Sequence, residues 1–255
     1  MTKDWRLLLT GYRSAAENMA LDEAVLHNIV AGDSPPTIRF YGWDPSAVSI
    51  GYFQGIEQEV DLEVCRDEGV AVVRRLTGGG AVYHDREGEI TYSLIVKEDA
   101  PGIPKKILDS YALLCGALVV GFERLGLSAQ YHPINDILIN GKKISGNAQT
   151  RRFGGLLQHG TLLCTVDPQR MFSLLKVPNE KIRDKLIQGV EERVTSIQRE
   201  LGEVDTDAVT QAMITGFETV LNIRLVEGTL SAAELARADQ LREERYDNRV
   251  WNFKR

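Results

Sequence analysis

At 255 residues, with 43% hydrophobic and 26% charged content, the chain has enough apolar material for a full buried core and lacks the compositional signature of disorder. No segment approaches the roughly 20 apolar residues of a spanning helix, and Leu7-Leu8-Leu9 before Thr10-Gly11 is too short for a secretory signal, so a cytoplasmic location with no membrane partner is expected. The net charge of −6 argues against bulk attraction to nucleic acid and points any phosphate recognition toward a small molecule in a local basic pocket.

In chain order, Ala16, Met19, Ala20, Ala24 and Val25 recur at helical spacing, with Glu17, Asp22 and Glu23 on other faces, predicting a helix over Ala15 to Ala31 that Gly32 stops. Thr37 to Tyr41 reads as a strand before the turn at Gly42-Trp43-Asp44-Pro45, and Ala47 to Gly51 as the next. Val60 to Glu68 reads as a helix, Val70 to Val73 as a short β-branched strand, and Glu89 to Val96 as an alternating strand. Leu108 to Leu125 is a long apolar-periodic helix. Asp136 to Ile139, the turn Asn140-Gly141 and Lys142 to Ser145 predict a hairpin, and Leu156 to Leu163 a further strand. From Pro168 onward the pattern is mainly helical, clearest over Asp205 to Val220 and Ser231 to Arg245, where Ser231 and Glu234 fit a capping box. Strands that come mostly in hairpins predict an α+β fold with a mixed, mainly antiparallel sheet and flanking helices. A composition shift at Val177-Pro178-Asn179-Glu180 marks a sub-boundary, with a helical appendage from about 178.

The most informative stretch is Arg74-Arg75-Leu76-Thr77-Gly78-Gly79-Gly80-Ala81-Val82-Tyr83-His84-Asp85. A glycine run lets several amides turn toward one ligand, and two adjacent guanidiniums favour an anion. It opens no helix, and it matches neither the nucleotide-hydrolase phosphate loop nor the dinucleotide fingerprint. In the hairpin, period-two alternation places Lys143 and Ser145 on one face and Lys142 and Ile144 on the other. The lysines read either as decoration of an exposed hairpin or as an ammonium delivered to a pocket, where it would stabilise an oxyanion or phosphate. His84 and His159 read either as acid–base groups or as hydrogen-bonded scaffold residues; Trp43 either packs over a pocket or closes a turn. Cys65, Cys115 and Cys164 lack paired spacing and read as buried thiols.

Together, the 74–85 stretch, Asn135-Asp136 with Gly141 to Gln149, and His159-Gly160-Thr161-Leu162-Leu163 resemble the lipoate-protein ligase catalytic domain, which belongs with biotin ligases and octanoyltransferases. Asn18 to Ala24, Arg193 to Ser196 and Trp251-Asn252-Phe253 extend the resemblance over nearly the whole chain, implying one catalytic domain over 1–255 without the accessory C-terminal domain of longer ligases. The resemblance implies an ATP-dependent ligase that activates lipoate or octanoate as an acyl-adenylate. The acyl group then passes to a lysine of a lipoyl carrier domain, on the E2 subunit of a 2-oxoacid dehydrogenase or the glycine-cleavage H protein, with a separate accessory subunit assisting. ATP and Mg2+ are the implied cofactors and lipoate the substrate. Lys143 matches the catalytic lysine. Arg75, Gly79, Gly80, Ala81, Val82, Tyr83 and His84 match the adenylate loop; Asn135, Asp136, Ser145, Gly146 and Ala148 match further substrate contacts, Asp136 also the magnesium ligand, and His159 a residue by the acyl pocket.

Octanoyltransferases of this superfamily hold the acyl group as a cysteine thioester. The segment from Gly126 to Pro133 carries no cysteine, and Cys164 is the single thiol near the motifs. That favours the ligase, with octanoyl transfer from an acyl carrier protein as the alternative and non-catalytic binding of a lipoyl-adenylate or carrier as the third reading.

Overall fold

The computed structural model describes residues 3–177 and 180–254. Strands β1 (Lys3–Arg13), β2 (Thr37–Trp43), β6 (Glu89–Lys97), β7 (Ala129–His132), β8 (Asp136–Ile139), β9 (Lys142–Arg152), β10 (Gly155–Leu163) and β11 (Ile223–Glu227) form one sheet, ordered β11-β1-β2-β6-β10-β9-β8-β7. A smaller sheet joins β3 (Ala47–Ile50), β4 (Ala71–Arg74) and β5 (Val82–His84) in the order β4-β3-β5. Pairing is parallel for β1 with β2 and β11 and for β3 with β4, and antiparallel elsewhere, as the hairpin-rich sequence predicts. The helices are α1 (Ala15–Ala31), α2 (Ile56–Glu59), α3 (Leu62–Asp67), α4 (Ile107–Arg124), α5 (Pro168–Leu174), α6 (Glu180–Arg193), α7 (Ile197–Leu201), α8 (Thr206–Leu221), α9 (Ala232–Leu241) and α10 (Arg249–Asn252), with a π-helical turn over Arg242–Tyr246. The expected sub-boundary falls on Pro178-Asn179, outside the described residues.

Alternation along the strands decides which helices cover which face. Leu94, Val96 and Leu156 pack with Leu114, Leu118 and Phe122 of α4 and Met213 and Phe217 of α8, whereas Ile95 and Leu157 turn to Val25, Leu26 and Ile29 of α1. Helix α1 starts with a capping box between Ser14 and Glu17 and ends at Gly32, whose φ of 93° suits a residue without Cβ. Its Asp22 and Glu23 are buried. Both face cations instead of solvent: Asp22 meets Arg39 from β2, and Glu23 meets Arg245 and Tyr246 from the C-terminal segment. Helix α9 carries the Ser231/Glu234 capping box, and buried Glu234 also accepts from Arg6, tying this helix to β1.

The Asn140-Gly141 turn has φ of 52° and 78°, both left-handed, as its hairpin requires. One expectation there fails. The register shifts between Ile137 and Leu138, so Ser145 pairs with Ile137 and Lys143 with Leu138. The extra residue, Ile144, interrupts the alternation, and Ser145 lies opposite a core residue while Lys143 turns the other way.

Candidate active site

The Arg75-to-Ala81 loop joins β4 to β5, and because β3 lies between those two strands the loop must cross its end. The crossing is at Gly51. A Cβ there would stand 2.0 Å from the Gly79 carbonyl oxygen, so the approach requires glycine. Arg74 and Arg75 have both turned inward. Arg74 donates to the carbonyls of Gly51, Tyr52, Gln54, Trp251, Asn252 and Lys254, fastening the C-terminal segment beneath the loop. Arg75 donates from Nε to Thr77, from Nη1 to the Ser49 carbonyl and hydroxyl, and from Nη2 to the Gly78 and Gly80 carbonyls. All five of its N–H groups are thereby committed inside the loop. Burial, with no carboxylate partner among these contacts, lowers its pKa to about 10.

Behind the loop runs a buried polar chain. Thr77 Oγ1 lies 2.7 Å from His159 Nε2, and His159 Nδ1 lies 3.6 Å from Asp22, which meets Arg39 Nη1 at 2.8 Å. Burial lowers the His159 pKa despite Asp22, leaving a neutral ring that accepts from Thr77 while Thr77 accepts from Arg75. Burial alone would raise the Asp22 pKa, but His159, Arg39 and Ser93 outweigh it and hold the carboxyl below its ordinary value. A second chain places Ser49 Oγ 2.8 Å from His84 Nε2 and His84 Nδ1 2.7 Å from Glu89, with Trp43 stacked on the His84 ring at a centroid separation of 4.0 Å. Both histidines thus hold scaffold positions at the cavity wall.

These elements enclose a cavity of about 370 Å3. The loop and β5 supply Arg75 and Gly79 to Asp85; the hairpin supplies Asn135, Lys143, Gly146, Asn147 and Ala148; β10 supplies His159, Gly160 and Thr161. Of the residues the sequence singled out, Ser145 and Asp136 do not line it. Trp43 lines it, in keeping with one of its two sequence readings; Ser49, Thr91 and Asn147 line it without having been singled out as site residues, as do Met19, Met171, Val190 and Val194. Asn147 is held against Asn135, which the sequence had singled out: the Asn147 side chain donates to the Asn135 carbonyl at 2.9 Å, the Asn135 side chain donates back, and Tyr92 holds Asn147 Oδ1 at 2.7 Å. Gly160 exists to admit that amide, since a Cβ there would meet Asn147 Oδ1 at 2.1 Å.

Lys143 is the partly exposed cation of the cavity. Its side chain is 37% exposed and its Nζ lies 2.7 Å from Asp136 Oδ1, a contact without hydrogen-bond alignment. The Lys143 carbonyl accepts from Thr195, so the segment after α6 clamps the backbone. Asp136, the residue matched to a magnesium ligand, lies beside the Lys143 ammonium, and no group of three or more metal-ligating side chains occurs among the described residues. Arg75 has no N–H left for a phosphate.

The family model of the lipoyl protein ligase A/B catalytic domain matches residues 14–218. The chain is 39% identical to the octanoyltransferase LipM of Geobacillus kaustophilus, over 98% of both chains, and 40% identical to that of Kyrpidia tusciae, over 98% of this chain and 99% of the other. In structure it is similar to the bipartite lipoate protein ligase of an archaeal lipoylation system from Thermoplasma acidophilum, with a TM-score of 0.90 and 35% identity over 98% of this chain and 96% of that one. The full-length octanoyltransferase relatives overturn the expectation of an ATP-dependent, acyl-adenylate-forming ligase, which the motif resemblance had implied and the missing cysteine before the hairpin had favoured. No helix among the described residues is long and apolar enough to cross a membrane. Matched by that domain over most of its length and by its enzymes over nearly all of it, this chain belongs to the lipoyl protein ligase A/B catalytic-domain family.

Proposed function

We propose that this enzyme transfers an octanoyl group from a thioester on an acyl carrier protein to a lysine amine of a lipoyl carrier domain, on a 2-oxoacid dehydrogenase E2 subunit or the glycine-cleavage H protein. The observation that carries the reading is Lys143, a half-exposed ammonium at the wall of a mainly apolar cavity in a chain whose full-length relatives are octanoyltransferases. Aminolysis of a thioester builds negative charge on the carbonyl oxygen, and an ammonium swung off Asp136 stabilises that charge strongly in a site from which the acyl chain excludes water. Gly79 and Gly80 keep the opposite wall free of side chains, and Val190 and Val194 supply apolar surface for the chain. Three free, buried cysteines suit a reducing compartment, supporting the cytoplasm as the place of reaction.

The test incubates the protein with octanoyl-acyl carrier protein and a lipoyl domain, without nucleotide, and reads the mass of the domain. Octanoylated domain is expected. Product that forms only with free octanoate or lipoate plus ATP would refute the reading.

A further inference from the structure

Outside the cavity, the residues that follow β3 and the C-terminal segment build an aromatic and cationic patch against the glycine loop. Tyr52 donates its backbone N–H to the Thr77 carbonyl, and Arg74 donates to the Tyr52, Trp251 and Lys254 carbonyls, so one buried guanidinium fixes both segments. Three rings are brought together. Phe53 meets Tyr52 edge-on with ring centres 5.0 Å apart, and Tyr52 meets Trp251 at 5.7 Å. Two cations lie over them: the Arg152 guanidinium is 4.0 Å from the centre of the Tyr52 ring, and Lys254 Nζ is 3.6 Å from that centre and 3.4 Å from the centre of Trp251.

Among the described residues neither Arg152 nor Lys254 is in an ion pair, in a chain whose net charge is −6. Arg152 foremost, with Lys254, holds the Tyr52 hydroxyl below its ordinary pKa, the mark of positive charge in excess at that ring. Phe53 is 62% exposed, and a Cβ on Gly78 would lie 3.9 Å from its ring, so the patch abuts the loop itself. Exposed rings beneath cations of one sign have the composition of a docking surface for a protein of opposite charge.

We infer that this patch docks the donor, an acyl carrier protein that presents a carboxylate-rich face; the inference rests on the transferase reading above. Reach selects the donor over the acceptor. None of Tyr52, Phe53, Arg152, Trp251 and Lys254 lines the cavity. A lysine side chain is short, so the acceptor domain must sit at the cavity mouth to deliver its amine. A carrier protein holds its thioester at the end of a much longer pantetheine arm and can rest to one side. The arm would then cross Gly79 and Gly80, which line the cavity and have no side chains to obstruct it. Carboxylates of the carrier meet Arg152 and Lys254, and Phe53 packs beneath its apolar surface.

The test compares two donors, octanoyl-acyl carrier protein and octanoyl-pantetheine, which has the arm without the protein. Phe53→Ser combined with Arg152→Gln should raise the KM for the carrier about tenfold. The kcat, the KM for the lipoyl domain and the rate with octanoyl-pantetheine should stay at wild-type values, and salt should raise the carrier KM more steeply in the wild type than in the variant. Lys254→Glu, close to the chain end, reads the charge alone should the combined variant melt lower. An unchanged carrier KM in both variants overturns the inference, as does an equal loss with octanoyl-pantetheine; a KM that rises for the lipoyl domain instead would hand the patch to the acceptor. Should the wild type transfer from neither donor, the transferase reading fails, and titration of labelled octanoyl-carrier against wild type and variants decides the surface by itself, equal affinities overturning it.

Discussion

Asp22→Asn tests the buried chain behind the loop. The substitution keeps the shape of the side chain and removes its charge, leaving Arg39, which is 0% exposed, as a buried cation without its carboxylate. Stranding one member of a buried pair costs about 3–5 kcal/mol. Arg39 keeps hydrogen bonds to Thr10 and to the Asn18 carbonyl and side chain, and lies 3.9 Å over the Tyr41 ring, which places the expected loss near the lower end, about 3 kcal/mol. For a chain of this size each kcal/mol is worth roughly 2–4 °C, so the melting temperature should fall by about 6–12 °C. The pH dependence follows from the shifts. Both Asp22 and His159 have lowered pKa values when folded, so each contributes stability that is complete above its unfolded value and is lost as pH falls through its folded value. The wild-type loss therefore begins as pH drops below about 6.5, the ordinary histidine value, and deepens below about 3.9. In the variant the Asp22 part disappears, while His159, without its carboxylate, titrates lower still and steepens the loss below about 6.5. Thermal melts from neutral to acid pH read both effects. A neutral-pH melting temperature within about 1 °C of wild type would refute the reasoning, since no buried charge would then have been stranded.

Lys143→Ala should lower turnover by about 10²–10³ with little change in melting temperature, because its ion pair is partly exposed and poorly aligned; steady-state kinetics beside a melt separate the two. Gly51→Ala should cost about 1–3 kcal/mol and depress activity further, since its Cβ must displace backbone at Gly79; denaturant unfolding and the transfer assay read it, and unchanged activity would mean the loop tolerates the shift. Arg74→Lys should destabilise by at least about 1–3 kcal/mol, because an ammonium cannot serve the carbonyls of both the loop base and the C-terminal segment, and raised proteolysis near Trp251 would report the loosened segment.

Where the physics is local, the sequence carried the fold. The capping boxes at Ser14 and Ser231, the Asn140-Gly141 turn and the long periods of α4 and α8 each depend on residues within a few positions of one another. Strands β1, β5, β7 and β11 were not legible. β1 is interrupted by Thr10-Gly11, where its register against β2 shifts, and β11 is specified by a partner some 220 positions distant. In the site, the glycine loop, Lys143 and His159, singled out from the sequence, all line the cavity. The burial of Asp22 was not legible and the face of Ser145 was misread for one reason: periodicity gives a direction relative to the chain, and only tertiary contacts reveal that Arg39 lies beside that face or that a bulge at Ile144 reverses the count.

The same distinction separates the two cations that the sequence had grouped as anion binders. Arg75 carries its charge into the cavity wall, but each N–H already has an acceptor, so on the proposed reading it would act on a substrate through its field and through the loop shape it enforces. Contact would require breaking those bonds in a buried site, where an unpaired acceptor costs about 1–3 kcal/mol. Lys143 has the opposite design. Its partner is a single carboxylate outside the cavity lining, the contact is unaligned, and Gly146 leaves the space beside its Cε and Nζ open. A reaction that creates and then discharges an oxyanion requires one charge that is fixed before substrate arrives and one that can follow the oxygen. On the transfer reading proposed above, the loop arginine would meet the first requirement and the hairpin lysine the second, so exchanging their residue types should fail at both positions.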